Sequence, residues 1–79
     1  MFYTYILENA NGKLYFGQTN NLDIRLAWHN SGKSKFTKNK GPWKLIFKKS
    51  FETRGEAIIY EHYLKSLKNP NFIKNIIVT

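Results

Sequence analysis

The sequence predicts an α+β domain in which a small three-stranded antiparallel sheet is flanked by helices. Three short segments, residues 1–7, 13–19 and 43–51, are rich in aromatic and aliphatic side chains, which is typical of strands. Two others, residues 22–30 and 54–67, place apolar residues three and four positions apart, which is typical of amphipathic helices. The order is therefore strand, strand, helix, strand, helix, and one domain is expected for 79 residues.

The first two strands are predicted to form a hairpin, because the Asn11-Gly12 pair between them is a strong turn signal. A two-residue loop at this pair would put Tyr5 and Tyr15 on opposite faces of the sheet. A three-residue loop ending at Gly12 would form a bulge, place Tyr5 opposite Gly17 and bring both tyrosines to one face. Turn chemistry alone does not choose between the two registers.

Both helices carry start and stop signals. Asn21 is a candidate N-cap of the first helix, and Gly32 is expected to end it. Thr53 and Glu56 form a capping box for the second helix, in which the Glu56 side chain reaches back to the backbone N–H of Thr53. Because the residue before a proline disfavours helical geometry, the second helix is expected to end ahead of Pro70.

The balance of charge points to a polyanionic partner. The chain carries 13 Lys and Arg against 5 Asp and Glu, a formal net charge of +8, and so basic a small domain favours nucleic acid. Charge alone does not separate DNA from RNA or from an anionic membrane. The absence of Cys excludes disulfides and thiolate metal sites. Since the sequence has no signal peptide or transmembrane segment, we expect a cytoplasmic protein without membrane association.

A lysine-rich stretch at residues 32–42 joins the first helix to the third strand. Phe36 and Trp43 are interleaved with its lysines; cations bind phosphates, and exposed aromatic rings stack on bases. We interpret the stretch as a nucleic-acid contact, with a merely solvated surface as the alternative. Its candidate substrate-binding residues are Lys33, Lys35, Lys38 and Lys40.

The first helix carries a cation and an imidazole on its apolar stripe. Leu22, Arg25, Leu26 and His29 follow the helical spacing and share the face expected to meet the sheet. An arginine on such a face is costly without an anion. No acidic residue is obviously placed to pair with it, so a phosphate is a reasonable partner. The alternatives are a solvated Arg25 and a structural His29.

The second helix carries a carboxylate within its apolar stripe. Ala57, Tyr60 and Leu64 share a face with Glu61, and a carboxylate there should be paired or should bind a metal ion. A salt bridge to Lys65, four positions later, is one interpretation. The other is a ligand for Mg²⁺, which keeps several waters and takes further oxygens from phosphate.

Taken together, residues 3–67 resemble the GIY-YIG nuclease family. YTY at residues 3–5 and YFG at residues 15–17 are similar to the two halves of its motif, and Arg25 follows at the family's spacing. The segments YFGQTNNLDIRLAWHNSG and EAIIYEHYLKSLKN look like the family's motif-and-helix segment and its metal-binding helix. The chain most resembles the small, single-domain bacterial members related to the nuclease module of the excision-repair C subunit. It departs from the repair-type members at Gln18, where they have Lys.

The resemblance implies a divalent-metal-dependent endonuclease that hydrolyses DNA phosphodiester bonds. Tyr5 and Tyr15 would line the site, and one of them, directly or through water on the metal, would help to deprotonate the attacking water. Arg25 would hold the scissile phosphate and stabilise its developing charge. His29 would assist proton transfer, and Glu61 would bind Mg²⁺ or Mn²⁺, which acts as a Lewis acid.

The resemblance also favours the hairpin register that puts both tyrosines on one face. Gly17 would then let substrate or side chains approach the second strand. Because side chains from two strands and two helices must converge, we expect both helices to pack over one face of the sheet. Many family members carry an asparagine after the metal-binding helix, and the candidates for it are Asn69, Asn71 and Asn75.

DNA is the expected partner, and nicked, flapped, branched and damaged DNA are all compatible with the sequence. A non-catalytic DNA-binding module on the same scaffold and an RNA nuclease are the alternative functions. With no second domain, sequence specificity should be low or should come from a protein partner, and the resemblance suggests a setting in DNA repair. The sequence carries no signal for an oligomeric state.

Overall fold

The computed structural model of the protein describes residues 1–32 and 41–67, and within them the elements follow the predicted order. The strands are β1 (Phe2–Glu8), β2 (Leu14–Thr19) and β3 (Lys44–Phe51), and the helices are α1 (Leu22–Asn30) and α2 (Arg54–Leu67). Both β2 and β3 pair antiparallel with β1, so the sheet has the order β2-β1-β3. The predicted α+β class, a three-stranded antiparallel sheet flanked by helices, is confirmed.

The hairpin of β1 and β2 has the three-residue loop. Tyr5 lies opposite Gly17, and Gly12 at the end of the loop has a φ of +80°, the left-handed conformation of a glycine bulge. The side chain of Asn9 holds the turn, since its Oδ1 accepts hydrogen bonds from two backbone N–H groups of the loop at 2.9 and 3.1 Å. Tyr5 and Tyr15 consequently share one face of the sheet.

The two helices lie on opposite faces of this sheet. Leu22 of α1 packs in the cluster that contains Tyr5. Leu64 of α2 packs against Ile6, which points the other way because side chains alternate along a strand. The hydroxyl of Thr4, on the same side as Ile6, donates a hydrogen bond of 2.6 Å to a backbone carbonyl of α2.

The expectation that both helices pack over one face is therefore wrong. β1 is the central strand, and both of its faces are buried: Tyr5 and Leu7 on one side, Thr4 and Ile6 on the other. Each buried face needs its own covering layer. One helix covers each face, so convergence of the predicted site residues requires that they meet at an edge of the sheet.

Helix α2 turns one flank toward β3 and the opposite flank toward the outer strand β2. Tyr60 packs its ring against Phe47 and Phe51 of β3, with centroid distances of 6.3 and 5.5 Å. Glu61 comes next in the helix, about 100° further round its axis, and so lies on the flank away from β3. Because β2 is an edge strand, this flank adjoins the open edge of the sheet.

The predicted caps are present at the start of both helices. Asn21 Oδ1 accepts a hydrogen bond of 3.1 Å from the backbone N–H of Ile24, and Gly32, with a φ of +82°, follows the end of α1. Thr53 Oγ1 accepts a 3.2 Å hydrogen bond from the backbone N–H of Glu56. The Glu56 carboxylate accepts a bond from the Thr53 hydroxyl at 3.0 Å, whereas the capping box predicts the backbone N–H as its donor.

Residues 33–40 and 68–79 lie outside the described part of the chain, and with them Pro70, ahead of which the sequence predicts the end of α2. Helix α2 is described as far as Leu67. Neither described helix combines the length with the apolar character that crossing a bilayer requires.

Candidate active site

Tyr5 lies against Gly17 on the neighbouring strand. A Cβ built on Gly17 would fall 2.5 Å from the Tyr5 Oη and 2.6 Å from its Cζ, closer than non-bonded atoms approach. The glycine is thus required for the Tyr5 ring to lie across β2. This is the close approach of a side chain that the strand glycine predicts; contact of Gly17 with substrate stays a prediction.

The tyrosines and His29 form one group of rings, the tyrosine–histidine cluster. Tyr5 Oη of β1 and His29 Nε2 of α1 are hydrogen bonded at 2.9 Å, although the two residues are 24 positions apart in the sequence. The Tyr15 ring meets the His29 ring edge to face at 4.7 Å and lies 6.4 Å from the Tyr5 ring. His29 is 1% exposed, so α1 delivers an imidazole into the interior next to two phenols.

Burial makes His29 a neutral base. Removal from water lowers the pKa of His29, and the positive charge of Arg25 lowers that pKa further. The imidazole therefore carries no charge at neutral pH. Its Nε2 is then able to accept the Tyr5 proton, provided that the other ring nitrogen carries the hydrogen.

Both phenols keep their protons at neutral pH. Burial raises the pKa of Tyr5 well above its ordinary value; the neighbouring Tyr15 and the charge of Glu61 raise it too, while Arg25 opposes them. Burial likewise raises the pKa of Tyr15, against the lowering effects of Lys65 and Arg25. A free phenolate is thus strongly disfavoured, and a tyrosine in this cluster can take up a proton only while it gives up its own.

Arg25 supplies positive charge to the cluster without an ion-pair partner among residues 1–32 and 41–67. Its charge acts on Tyr5, Tyr15 and His29, so the guanidinium faces all three. Its Cζ lies 4.8 Å from the centre of the Trp28 ring, a cation–π contact that restrains the side chain. A half-buried guanidinium with no acidic partner is suited to an anion from outside the protein.

An open groove of about 550 Å³ lies beside Arg25. Trp28 forms part of its wall, and the Trp28 ring also touches the His29 ring edge to face at 5.0 Å. Trp28 thus borders both the groove and the tyrosine–histidine cluster. Its lining residues are Thr19, Asn20, Asn21, Ile24, Arg25 and Trp28.

Glu61 lies near the tyrosines from the opposite side of the sheet. Its charge raises the pKa of both Tyr5 and Tyr15, and its side chain is only 13% exposed. Glu61 Oε2 is 2.8 Å from Lys65 Nζ, which is the salt bridge that the helical spacing predicts. The carboxylate therefore acts electrostatically on both phenols while it is paired with an ammonium group.

The donor groups suit only one kind of metal ion. Within the described residues no group of three or more His, Cys, Asp or Glu side chains converges, as a closed zinc site requires. A single carboxylate fits Mg²⁺ or Mn²⁺, which take their remaining oxygens from water and phosphate. Glu61 as the ligand of such an ion stays a prediction.

The chain matches a known catalytic domain over nearly all of its length. Residues 1–75 align with the family model described as the GIY-YIG catalytic domain. The chain belongs to the GIY-YIG family. That membership places it in a nuclease superfamily, and a nucleic acid is the substrate that this superfamily implies.

Relatives of this GIY-YIG protein extend over most of its length. A UPF0213 protein of Bacillus licheniformis is 43% identical over 70 residues, which cover 87% of this chain and 72% of the relative. One from Clostridium perfringens is 44% identical over 68 residues, covering 85% and 73%. The solution NMR structure of a UPF0213 protein from Bacillus halodurans superposes with a TM-score of 0.60 at 33% identity and covers 100% of this chain and 86% of that one.

Two residues of this GIY-YIG site, Trp28 and Lys65, make contacts whose importance the sequence analysis did not predict. Trp28 is a contact that it missed, although the three-residue spacing from Arg25 is a signal for it. Lys65 enters the sequence analysis only as a partner of Glu61. The predicted lysines and asparagines at the site lie outside the described residues and stay predictions: Lys33, Lys35, Lys38, Lys40, Asn69, Asn71 and Asn75.

Proposed function

We propose that this protein is a divalent-metal-dependent endonuclease that hydrolyses phosphodiester bonds in DNA. One observation supports it above all: the charge of Arg25, a cation with no ion-pair partner in the described chain, acts on a buried phenol, a half-buried phenol and a neutral imidazole. Glu61 approaches the same phenols from the other helix. Membership of the GIY-YIG family supports the nuclease chemistry, and the net charge of +8 supports a polyanionic substrate.

Arg25 binds the scissile phosphate in this proposal. Its guanidinium is planar and offers several N–H donors, so it can grip two phosphate oxygens at once. The Trp28 ring under it limits the orientations available before DNA arrives. As the phosphorus accepts a fifth oxygen, negative charge grows on the non-bridging oxygens, and a fixed cation beside them lowers the barrier.

Tyr5 and His29 act together on the attacking water. The water oxygen bonds to phosphorus as one of its protons passes to the Tyr5 oxygen, and the Tyr5 proton passes to His29 Nε2 across their 2.9 Å hydrogen bond. The bond from phosphorus to the leaving oxygen breaks, and that oxygen later takes a proton from solvent. A phosphate bound at Arg25 offsets the charge that lowers the pKa of His29, so substrate binding itself favours this transfer.

Glu61 holds Mg²⁺ or Mn²⁺, which supplies Lewis-acid stabilisation of the phosphate and leaving oxygens when bound. Tyr15 closes the site beside His29, where its ring keeps water away from the imidazole. The lysines of residues 33–40 would hold the flanking DNA backbone.

A plasmid-nicking assay with Mg²⁺ or Mn²⁺ tests the proposal. The wild-type protein is expected to relax supercoiled plasmid, and Glu61→Gln is expected to reduce the rate at least a hundredfold, since it removes the carboxylate but keeps the shape. Glu52→Gln, the same change at an exposed position, is the matched control and should cut at the wild-type rate.

Equal cutting by wild type and Glu61→Gln would overturn the metal assignment, and no metal-dependent cutting by the wild type would overturn the enzyme itself. A single-stranded RNA of the same sequence as a DNA oligonucleotide provides the second comparison. Faster cleavage of the RNA than of any nicked, flapped or duplex DNA would contradict the choice of DNA.

A further inference from the structure

Lys65 reaches into the candidate site although half of its side chain is in solvent. Its Nζ lies 2.8 Å from Glu61 Oε2, while the Lys65 side chain is 51% exposed and that of Glu61 13%. The charged end is therefore anchored at a nearly buried carboxylate, and the stem is free to move. An ion pair of this kind, four positions apart on a helix, contributes little to stability and is easily broken.

The positive charge of Lys65 also acts on Tyr15. Among the neighbouring charges, Lys65 has the largest effect on the pKa of Tyr15, ahead of Glu61 and Arg25. Two cations thus act on Tyr15 from the two helices: Arg25 from α1 and Lys65 from α2. A phosphate bound between the phenols and Glu61 would lie between these two positive groups.

Glu61 cannot keep its ion pair with Lys65 at full strength while it binds a divalent cation. An ion such as Mn²⁺ binds carboxylate oxygens directly, and its two positive charges repel an ammonium group held on the same carboxylate. Lys65 would have to leave Glu61 in whole or in part when the ion binds. Its three N–H donors then need another anion, and the phosphate brought by DNA is the one at hand.

We propose that Lys65 is a catalytic residue that exchanges partners, from the Glu61 carboxylate in the free protein to a non-bridging oxygen of the scissile phosphate in the loaded one. The inference rests on the proposed nuclease function and adds a second phosphate-binding cation to it. In the free protein Lys65 neutralises Glu61, so it competes with the metal ion. In the complex it faces Arg25 across the phosphate and shares the stabilisation of the developing charge.

The two roles predict opposite effects of one substitution. Lys65→Met keeps the length and the helix propensity of the side chain but removes its charge. In the absence of DNA it is expected to bind Mn²⁺ about fivefold more tightly, because one nearby positive charge is gone. It is expected to cut DNA at least about tenfold more slowly at saturating metal and DNA, because a charged hydrogen bond to phosphate is lost. Removal of a lysine that only pairs with Glu61 would tighten metal binding in the same way but would leave the cleavage rate at saturating metal unchanged, so the two measurements together separate the roles.

The experiment titrates Mn²⁺ by electron paramagnetic resonance and measures cleavage in parallel, with circular dichroism to verify folding. Lys49→Met is the matched control, since Lys49 packs on Phe51 of β3 and on Tyr60 at the other flank of α2. Neither Mn²⁺ binding nor the cleavage rate should change in this variant. Lys65→Arg keeps the charge and should restore part of the cleavage rate.

The role of Lys65 would be overturned if Lys65→Met bound Mn²⁺ no more tightly than the wild type, or if it cut DNA as fast as Lys49→Met. Cutting by the wild-type protein would leave the proposed function intact in that case. If the wild type neither binds Mn²⁺ through Glu61 nor cuts DNA, both proposals fail together.

Discussion

The Tyr5 hydroxyl lies against Gly17 so closely that a Cβ at position 17 would be 2.5 Å from the Tyr5 oxygen. Only a residue without a side chain leaves room for the ring to cross the outer strand. The same position of the ring carries the hydroxyl to His29, 2.9 Å away. Gly17 is thus the residue that allows β1 to bring a phenol into contact with α1.

Gly17→Ala is expected to displace the Tyr5 ring and break its bond to His29. The forced shift in a packed region should cost about 1–3 kcal/mol of unfolding free energy. It should also slow DNA cleavage at least about tenfold, because a misplaced catalytic group loses most of its effect. Urea denaturation and the nicking assay measure the two quantities on the same preparation.

Gly55→Ala is the matched control for that variant. Gly55 lies in the first turn of α2, and a Cβ there would have no atom within 4 Å. Alanine favours a helix over glycine by up to about 1 kcal/mol, so this variant should be as stable as the wild type or slightly more so, with unchanged cleavage. Wild-type cleavage by Gly17→Ala would mean that Tyr5 need not lie across β2.

The stability of the protein is expected to fall as the pH drops below about 6.5, the usual pKa of an unfolded histidine. Burial, and then the charge of Arg25, lower the pKa of His29 in the folded state. The unfolded chain therefore takes up a proton at a higher pH than the folded one, and protonation favours unfolding. This part of the stability is present above pH 6.5 and is lost as the pH falls toward the folded pKa.

Urea midpoints at about pH 7.5 and pH 5.5 measure this effect. In His29→Gln the difference between the two midpoints should shrink, because the titrating group is gone while the amide can still bond to the Tyr5 hydroxyl. His62→Gln changes an exposed histidine on α2 and should keep the wild-type difference. The same difference in His29→Gln as in His62→Gln would show that another group controls the acid sensitivity.

Local signals in the sequence were sufficient for the hairpin loop and the helix starts, whereas the choice between the two hairpin registers came from the family resemblance. Gly12 adopts the positive φ that the bulge needs, and Asn21 and Thr53 accept the bonds predicted for N-caps. Each of these features depends on residues within four positions of one another. The spacing of Lys65 four positions after Glu61 likewise indicated their ion pair, as one of two interpretations of Glu61.

The side of the sheet on which each helix lies was predicted wrongly, because it depends on contacts between distant parts of the chain. The uninterrupted apolar run from Tyr5 to Leu7 was the available signal, since a strand buried on both faces needs two covering layers. The sequence analysis passed over it. The bond from Tyr5 to His29 is also long-range, and spacing within α1 placed His29 only on the inward face.

Arg25→Lys is expected to cut DNA about a hundredfold more slowly than the wild type, although the charge is kept. A lysine lacks the planar group that stacks on Trp28 and that binds two phosphate oxygens together. The rate of cleavage at saturating DNA, with the melting temperature as a check on folding, measures the change. Trp28→Leu, which leaves the guanidinium without its ring, should lose about tenfold.

Arg54→Lys is the matched control, because Arg54 also stacks on an aromatic ring, that of Phe2 at 4.9 Å, and bonds to Gln18 at 3.1 Å. It has no place in the proposed site, so cleavage should stay at the wild-type rate. An equal loss in Arg25→Lys and Arg54→Lys would indicate that both changes act through stability and would remove the case for Arg25 as the phosphate ligand.

The lysines predicted to bind the DNA backbone should increase the salt dependence of the affinity for DNA. Each lysine that contacts a phosphate of duplex DNA contributes about 0.9 to the slope of log affinity against log salt concentration. Replacing four lysines by Gln should therefore flatten that slope by up to about 3.6. The four residues are Lys33, Lys35, Lys38 and Lys40. Fluorescence anisotropy of a labelled duplex, with Glu61→Gln as background to keep the DNA intact, gives the slope directly.

Lys49→Gln gives the effect of one lost lysine on the α2 side of the sheet, away from the groove beside Arg25. Its slope should equal that of the background protein, because a lysine that contacts no phosphate releases no counterions when DNA binds. If the fourfold variant flattens the slope no more than Lys49→Gln does, residues 33–40 do not contact the backbone. The net charge would then act by general attraction, and phosphate contacts would have to come from Arg25 and Lys65 alone.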